Sequence, residues 1–400
     1  MRSERFTADA VLIGGCGHVG LPLGLALADR GASVILYDVS DRAVKLVGDG
    51  RMPFEEDGAA PVLERVVAAE RLRATTDPAA VGQAEHVIVV LGTPVDEHLN
   101  PDPRAIPRAL GLCAEYFADG QLLVLRSTVY PGVTALVEKM VARLGRDIDV
   151  VFCPERIAEG RAMAELTTLP QIIGSRTERG RERARRLFER LTPTVVELSP
   201  EEAELAKLFT NTWRYIRFAT ANQLYMMAND RGLDFERIRQ AISHEYPRAA
   251  DLPRAGFAAG PCLLKDTMQL AAFNNNNFTL GHAAMLVNEG LPLYLVSQLE
   301  QRHDLASMTV GILGMAFKAG SDDIRASLSY KLRRILAFKC AEVLCTDPLV
   351  TTDPDLLPLE EVLDRSDLLI IGAPHPQYRG LRTTRPVADV WNLLEGGVRV

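Results

Sequence analysis

A chain of 400 residues that is 47% hydrophobic and 24% charged holds enough material for two or three cored domains, well past the length at which one core stops growing. Its 45 basic and 52 acidic residues are interspersed and sum to a formal charge of −7, so there is no basic tract of the kind that tracks a phosphate backbone, and nucleic acid is not expected as a partner. No apolar run approaches the roughly 20 residues of a membrane span, and the opening residues lack a signal-type apolar region, so the reading is a cytoplasmic protein without a membrane partner.

Residues 10–13 read as an apolar strand, followed by a glycine-rich turn and a helical pattern over 21–30. A second strand over 33–37 ends at Asp38. Further apolar runs at 86–91, 122–125, 150–153, 171–174 and 195–198 alternate with helical periods such as 106–116 and 181–191, which predicts a parallel, doubly wound sheet. From Pro200 the pattern becomes one long helix to about Asp230, more helix to Ile242, a cysteine-bearing loop, and another helical run to about Gln301. Strands at 308–313, 341–345 and 367–371 then return the α/β pattern. The expected fold class is α/β, with two Rossmann-like doubly wound domains joined by a central helical domain. The expected boundaries are 1–199, 200–304 and 305–400. Asn274 to Asn277 reads as a loop.

The first turn is Gly14-Gly15-Cys16-Gly17-His18-Val19-Gly20. In Gly15-x-Gly17-x-x-Gly20 the first glycine allows a tight turn, the second lets the backbone approach a pyrophosphate, and the third lets helix and strand pack closely. The helix N-terminus behind Val19 then receives the phosphates, and His18 packs on the cofactor. Asp38, 23 residues after Gly15, can accept hydrogen bonds from a ribose 2′-OH and would repel a 2′-phosphate, so NAD is the expected cofactor rather than NADP.

Of six cysteines, at 16, 113, 153, 262, 340 and 345, none has metal-ligand spacing, and a chain this large does not need disulfide staples. Five are expected to remain buried thiols, and no metal is assigned. Cys262 differs: it follows the small-residue turn Gly256-Phe-Ala-Ala-Gly260-Pro261 and precedes Lys265-Asp266, the setting of a nucleophile with a cation nearby that favours its thiolate. A thiol beside a nicotinamide suits oxidation of an alcohol or aldehyde to an acid, because thiolate addition holds the aldehyde between two hydride removals. Lys207 and Asn211, four apart on the long helix, share a face and can offer a cation and an amide donor to one oxyanion.

These segments stand in order with Ser127-Thr128-Val-Tyr-Pro-Gly132, Cys153-Pro-Glu155-Arg156-Ile-Ala-Glu159-Gly160, Glu204-Leu-Ala-Lys207-Leu-Phe-Thr-Asn211 and Gly314-Met-Ala-Phe-Lys318 with Asp322-Asp323-Ile-Arg325. Together they resemble the UDP-glucose/GDP-mannose dehydrogenase family over nearly the whole chain. The resemblance implies four-electron oxidation of C6 of a nucleotide-linked hexose with two NAD. It implies that Glu155 and Glu159 activate water for thioester hydrolysis, that Asp266 and Thr128 hold a catalytic water, and that Thr93 lies in the cofactor site. Lys265 would line the sugar or neighbour the thiol. Lys318 and Arg325 would contact the nucleotide of a UDP-hexose substrate in the second α/β domain, Lys318 near the cofactor as well. Arg248 would reach a sugar across the interface of a homodimer built on the long helix.

The markers of the sugar conflict. The segment from Thr93 to Asp102 and Asn211-Thr-Trp-Arg214 look like the branch that oxidises UDP-N-acetylhexosamines, whereas Glu159 and Lys265-Asp266 look like the UDP-glucose branch. On the chemistry residues the expectation is UDP-glucose to UDP-glucuronate, with UDP-N-acetylglucosamine or UDP-N-acetylmannosamine as the alternative. A single-hydride hydroxy-acid dehydrogenase would not need Cys262, and a non-catalytic nucleotide-sugar binder would need neither the thiol nor Lys207 and Asn211.

Overall fold

The computed structural model describes residues 5–93, 95–96 and 99–396, and the chain gathers into two compact units, Met1–Phe209 and Thr210–Val400. In the first unit β1 (Ala8–Ile13), α1 (Gly20–Asp29), β2 (Val34–Tyr37), α2 (Asp41–Gly48), α3 (Ala59–Ala68), β3 (Leu72–Thr75) and β4 (Ala84–Val89) come first. They are followed by α4 (Ala105–Gly111), β5 (Gln121–Leu125), α5 (Val133–Arg143), β6 (Ile148–Phe152), α6 (Ala162–Thr168), β7 (Gln171–Ser175), α7 (Glu178–Phe188) and β8 (Val195–Leu198). The strands form one sheet ordered β3-β2-β1-β4-β5-β6-β7-β8. Both faces are covered: Ala10 and Leu12 of β1 join one apolar cluster while Ala8, Val11 and Ile13 join the other, which is why residues 10–13 read as a continuous apolar run.

The sheet corrects one expectation. β1 to β6 run parallel, but β7 pairs antiparallel with β6, and β8 follows β7 in parallel. Between β6 and β7 the chain runs through residues 153–170, of which α6 takes only seven, and it re-enters the sheet beside β6 in the opposite direction. The helical period expected over 106–116 also breaks, into α4 and a separate 3₁₀ turn, Ala114–Tyr116.

Helix α8 (Pro200–Asn229) is 30 residues long, and the two compact units part within it. In the second unit it is followed by α9 (Phe235–Ser243), α10 (Leu263–Phe273), α11 (Thr279–Glu300), β9 (Thr309–Leu313), α12 (Leu328–Leu336), β10 (Glu342–Thr346), α13 (Leu359–Arg365), β11 (Leu368–Ile371) and β12 (Val387–Ala388). The four strands form a parallel sheet, β10-β9-β11-β12. Ala221 and Tyr225 of α8 share one core with Leu291 and Leu295 of α11 and Val310 and Ile312 of β9, so the helices and the second sheet of this unit are one packed body. The architecture is α/β, with two Rossmann-type sheets and a long-helix region. Asn275 and Asn276 take positive φ just after α10, as a loop-forming asparagine cluster does. No helix among the described residues is long and apolar enough to cross a membrane.

Candidate active site

In the first sheet the strand order reverses between β1 and β4, and ligands of such sheets bind at the carboxyl ends of the strands beside that point. The glycine turn occupies this place. A Cβ on Gly15 would come within 2.8 Å of the Leu12 carbonyl oxygen and 2.9 Å of Leu36 Cα, and one on Gly20 within 2.6 Å of the Gly14 carbonyl oxygen. A Cβ on Gly17 would meet nothing closer than 3.8 Å, which leaves the open face that a diphosphate needs. Val19 is the N-cap of α1 and no side chain caps that helix start, so its N–H groups suit an anion. The residues present fit NAD. His18 stacks on Phe54, with ring centroids 4.0 Å apart. Asp38, expected at the ribose, has a structural contact here: its Oδ2 accepts the Cys16 N–H at 3.0 Å, which ties the glycine turn to the end of β2.

The loops after β4, β5 and β6 emerge on the same edge. The Thr93 hydroxyl donates to the Thr128 carbonyl at 2.5 Å, so these two expected site residues are neighbours; residues 94, 97 and 98 of the Thr93–Asp102 motif lie outside the described set. Glu155 is buried and fully engaged. One oxygen pairs with the Arg126 guanidinium, and the other accepts the Arg156 and Ile157 N–H groups at 2.6 and 2.9 Å. Arg126, 2% exposed, also donates to the Cys153 carbonyl and to Gln171 Oε1, and stacks over Phe188. Sequence reading passes over this arginine, although a charge directly after an all-apolar strand was the available signal. Glu159 is half-buried on the same loop. That loop is tied down by Glu56, whose carboxylate accepts the Gly160 and Ala162 N–H groups at 2.8 and 2.7 Å.

In the second unit Cys262 is the N-cap of α10 and is exposed. The positive end of a helix favours a thiolate at such a position. The other thiols are unsuited to nucleophilic work: burial pushes Cys16, Cys153 and Cys345 up to about 12 and Cys340 up to about 11, and raises Cys113 as well. Cys340 departs from the expectation of five buried thiols. It is half-buried, because it lies in the exposed turn between α12 and β10.

Asp266, fully buried on the first turn of α10, accepts the Asn211 amide at 2.5 Å and pairs with the Lys265 ammonium at 2.8 Å. Because Asn211 Nδ2 donates to Asp266 Oδ2, the Asn211 amide is held in one orientation by the first turn of α10. Lys207 is buried one helical turn before Asn211 on α8. Gly260, at φ 102°, lies on the Phe317 ring, which a Cβ there would approach within 2.5 Å. The cysteine loop thus rests on the segment that carries Lys318 and Arg325. Lys318 lies over Phe317, and Arg325 is exposed and paired with Asp323 at 2.6 Å. Arg248 is exposed, its guanidinium over the Tyr246 ring and its Nε donating to the Tyr246 hydroxyl. Among the described residues no group of three or more His, Cys, Asp or Glu is placed to hold a metal ion.

Known proteins match this arrangement along the chain. The family model for the NAD-binding domain of the UDP-glucose/GDP-mannose dehydrogenase family matches residues 9–192, that for its central domain 201–290, and that for its UDP-binding domain 311–396. The UDP-N-acetyl-D-mannosamine dehydrogenase of Pyrococcus horikoshii is 29% identical over 92% of this chain and 90% of its own length. The UDP-glucose 6-dehydrogenase of Haloferax volcanii is 31% identical over 84% and 83%. The solved structure of the Pyrococcus horikoshii UDP-D-ManNAc dehydrogenase superposes with a TM-score of 0.90 at 25% identity, covering 97% of each chain. A UDP-glucose dehydrogenase from Pyrobaculum islandicum gives 0.87 at 27% identity, over 97% of this chain and 95% of the other. The chain belongs to the UDP-glucose/GDP-mannose dehydrogenase family and is an NAD-dependent nucleotide-sugar dehydrogenase.

Proposed function

We propose that the protein oxidises C6 of a UDP-N-acetylhexosamine, UDP-N-acetyl-D-mannosamine first among them, to the carboxylate, with reduction of two NAD and consumption of one water. The observation that carries the chemistry is the exposed Cys262 at the start of α10, beside the Asn211–Asp266–Lys265 cluster. The choice of sugar is supported by the relatives named for UDP-N-acetyl-D-mannosamine, by the Asn211-Thr-Trp-Arg214 segment, and by the Thr93–Asp102 motif.

NAD, held at the glycine turn, supplies the hydride acceptor for both oxidations. Once the first hydride has left C6 and the hydroxyl proton has left O6 to solvent, Cys262 Sγ bonds to the aldehyde carbon, its proton passing to that oxygen, and keeps the carbon in place as a thiohemiacetal. Loss of the second hydride from that carbon leaves a thioester. Asn211, oriented by Asp266, and Lys207 stabilise the oxygen as it becomes negative. Water then breaks the C–S bond, releasing the acid and returning a proton to the thiol. Glu159, with Asp266 and Thr128, is assigned the handling of that water. Glu155 is assigned the support of its loop, since Arg126 and two backbone N–H groups occupy its oxygens. Lys318 and Arg325 are assigned to the nucleotide diphosphate.

A homodimer is part of this reading. Phe209, Trp213, Leu224 and Met227 are exposed along one face of α8, a stripe that a second copy would cover. Arg248 is then assigned to the partner's sugar site.

UDP-glucose is the second reading, favoured by Glu159, by Lys265-Asp266 and by the Haloferax volcanii relative. NADH formed per sugar consumed, with UDP-N-acetylmannosamine, UDP-N-acetylglucosamine, UDP-glucose and GDP-mannose in parallel, tests both. Two NADH per UDP-N-acetylhexosamine supports the proposal, two per UDP-glucose transfers it to the second reading, and one per sugar overturns the thioester route.

A further inference from the structure

The loop before Cys262 contains neither helix nor strand from residue 252 to 260, so its backbone polar groups depend on partners elsewhere. Gly256 finds both of its partners in one side chain. Its N–H donates to Asn222 Oδ1 at 2.9 Å, and its carbonyl accepts from Asn222 Nδ2 at 3.0 Å. Asn222 is fully buried in α8, and its orientation is not free: Nδ2 also donates to Asn288 Oδ1 at 2.9 Å, and Asn288 Nδ2, on α11, donates to the Tyr215 carbonyl at 3.0 Å. Every donor in this relay has one assignment, so the amide cannot flip without breaking a bond.

Gly256 is held from the other side as well. A Cβ there would lie 2.3 Å from the Trp391 ring, against which Phe257 packs edge-on. Asn222 stands 11 residues after Asn211, about three turns along α8, so both project from the same side of one helix. Asn211 bonds to Asp266 on the first turn of α10, and Asn222 grips the loop that leads into it. The thiol therefore lies on a segment tied at both ends to one rigid element. We infer that Asn222, oriented by Asn288, is a positioning residue that sets Cys262 for reaction by gripping both backbone groups of Gly256.

The inference rests on the reading of Cys262 as the nucleophile, so the test separates the two. Iodoacetamide alkylation, followed by mass spectrometry at Cys262 and by turnover, comes first: in the unaltered enzyme turnover should be lost in step with Cys262 alkylation, and if it is not, the nucleophile reading itself fails. Asn222→Ala should then lower kcat on the order of 100-fold, as an ångström of misplacement does, with KM for NAD within about twofold and the alkylation rate changed by more than about threefold. Asn222→Asp keeps the acceptor for the Gly256 N–H but loses both donors, and should fall between. The control is Asn229→Ala, a buried asparagine of α8 whose Nδ2 donates to the Tyr294 hydroxyl. It should leave the alkylation rate unchanged. An unchanged rate in Asn222→Ala, or the same signature in Asn229→Ala, overturns the inference. If Asn222→Ala does not fold, Asn288→Ser, which keeps Asn222 itself but removes the amide that orients it together with the bond to the Tyr215 carbonyl, should move the alkylation rate by roughly twofold; no movement overturns it equally.

Discussion

Replacing Arg126 with methionine should unsettle the first unit more than any surface change. The side chains of Arg126 and Glu155 are 2% and 10% exposed, so neither charge has much water to fall back on. Removing one member of such a pair leaves the other buried and uncompensated, at about 3–5 kcal/mol. Arg126 also loses its bonds to the Cys153 carbonyl and Gln171, which places the estimate toward the upper end. At about 2–4 °C per kcal/mol for a unit of this size, scanning calorimetry on the full chain should show a midpoint lowered by roughly 10 °C. Glu155→Gln should cost a similar amount by stranding the arginine, while the double variant, with no buried charge left, should cost clearly less than the sum of the two. A coupling energy of at least about 2 kcal/mol is expected. Additive losses, with coupling below about 0.5 kcal/mol, would refute the view that the pair is a single buried unit. They would also return Glu155 to candidacy as a base.

Three further outcomes are expected. Cys262→Ser should abolish acid formation, with no second NADH per sugar, while NADH binding measured by fluorescence stays within about twofold; residual four-electron turnover would remove the thiol from the route. Gly260→Ala combines a φ of 102° with a Cβ 2.5 Å from the Phe317 ring, so it should cost on the order of 1–3 kcal/mol and reduce kcat by displacing the cysteine loop; wild-type turnover would show that the loop tolerates the shift. Burial alone would raise the Asp347 carboxyl, but the hydrogen bonds from His375 and from the Ala316 and Leu349 N–H groups hold it below the usual carboxylate range. A carboxyl lowered in the folded state contributes stability that is present above its unfolded pKa, about 3.9, and is lost as pH falls through the folded value. Asp347→Asn should therefore flatten the decline of the thermal midpoint in the acid range below about pH 4, and parallel curves for the two proteins would refute this.

Much of the fold was legible because it depends on local pattern. The apolar runs at 10–13, 87–89 and 122–125 within β1, β4 and β5 are what strands buried on both faces require, and the 30 residues of α8 contain no internal glycine or proline to stop them. The reversal at β7 was not legible in the same way. The apolar run at 171–174 reads identically in either direction, and the connection over residues 153–170 is long enough for either, so the local pattern does not decide between them. Likewise Cys262 and the glycine turn announce themselves by their neighbours in sequence, whereas the partner of Glu155 lies 29 positions away and that of Gly256 lies 34 away. Polar groups that position a site are chosen by the fold, and no spacing rule marks them.

Asp38 and Asp347 show where that limit falls. Each ends the strand beside the first strand of its sheet, and each turns its carboxylate onto backbone N–H groups of the neighbouring turn, Cys16 in one case and Met315 and Ala316 in the other. Sequence reading assigned Asp38 to a ribose because a glycine motif stood at the expected distance, and left Asp347 unread because Gly314 begins no such motif. The packing requirement is common to both: a turn that leaves a parallel strand exposes N–H groups that the ladder cannot satisfy, and an acceptor at the end of the adjacent strand is the nearest remedy. In the second sheet this duty is heavier, since Asp347 also accepts from Leu349, Val350 and the buried His375, whose own Nδ1 accepts the Gly320 N–H. The carboxylate therefore holds both ends of the loop from Gly314 to Gly320, and with it the backbone that presents Lys318. An aspartate at a strand end is in this sense an architectural acceptor in both sheets, and only the first has glycines beside it that leave an open face.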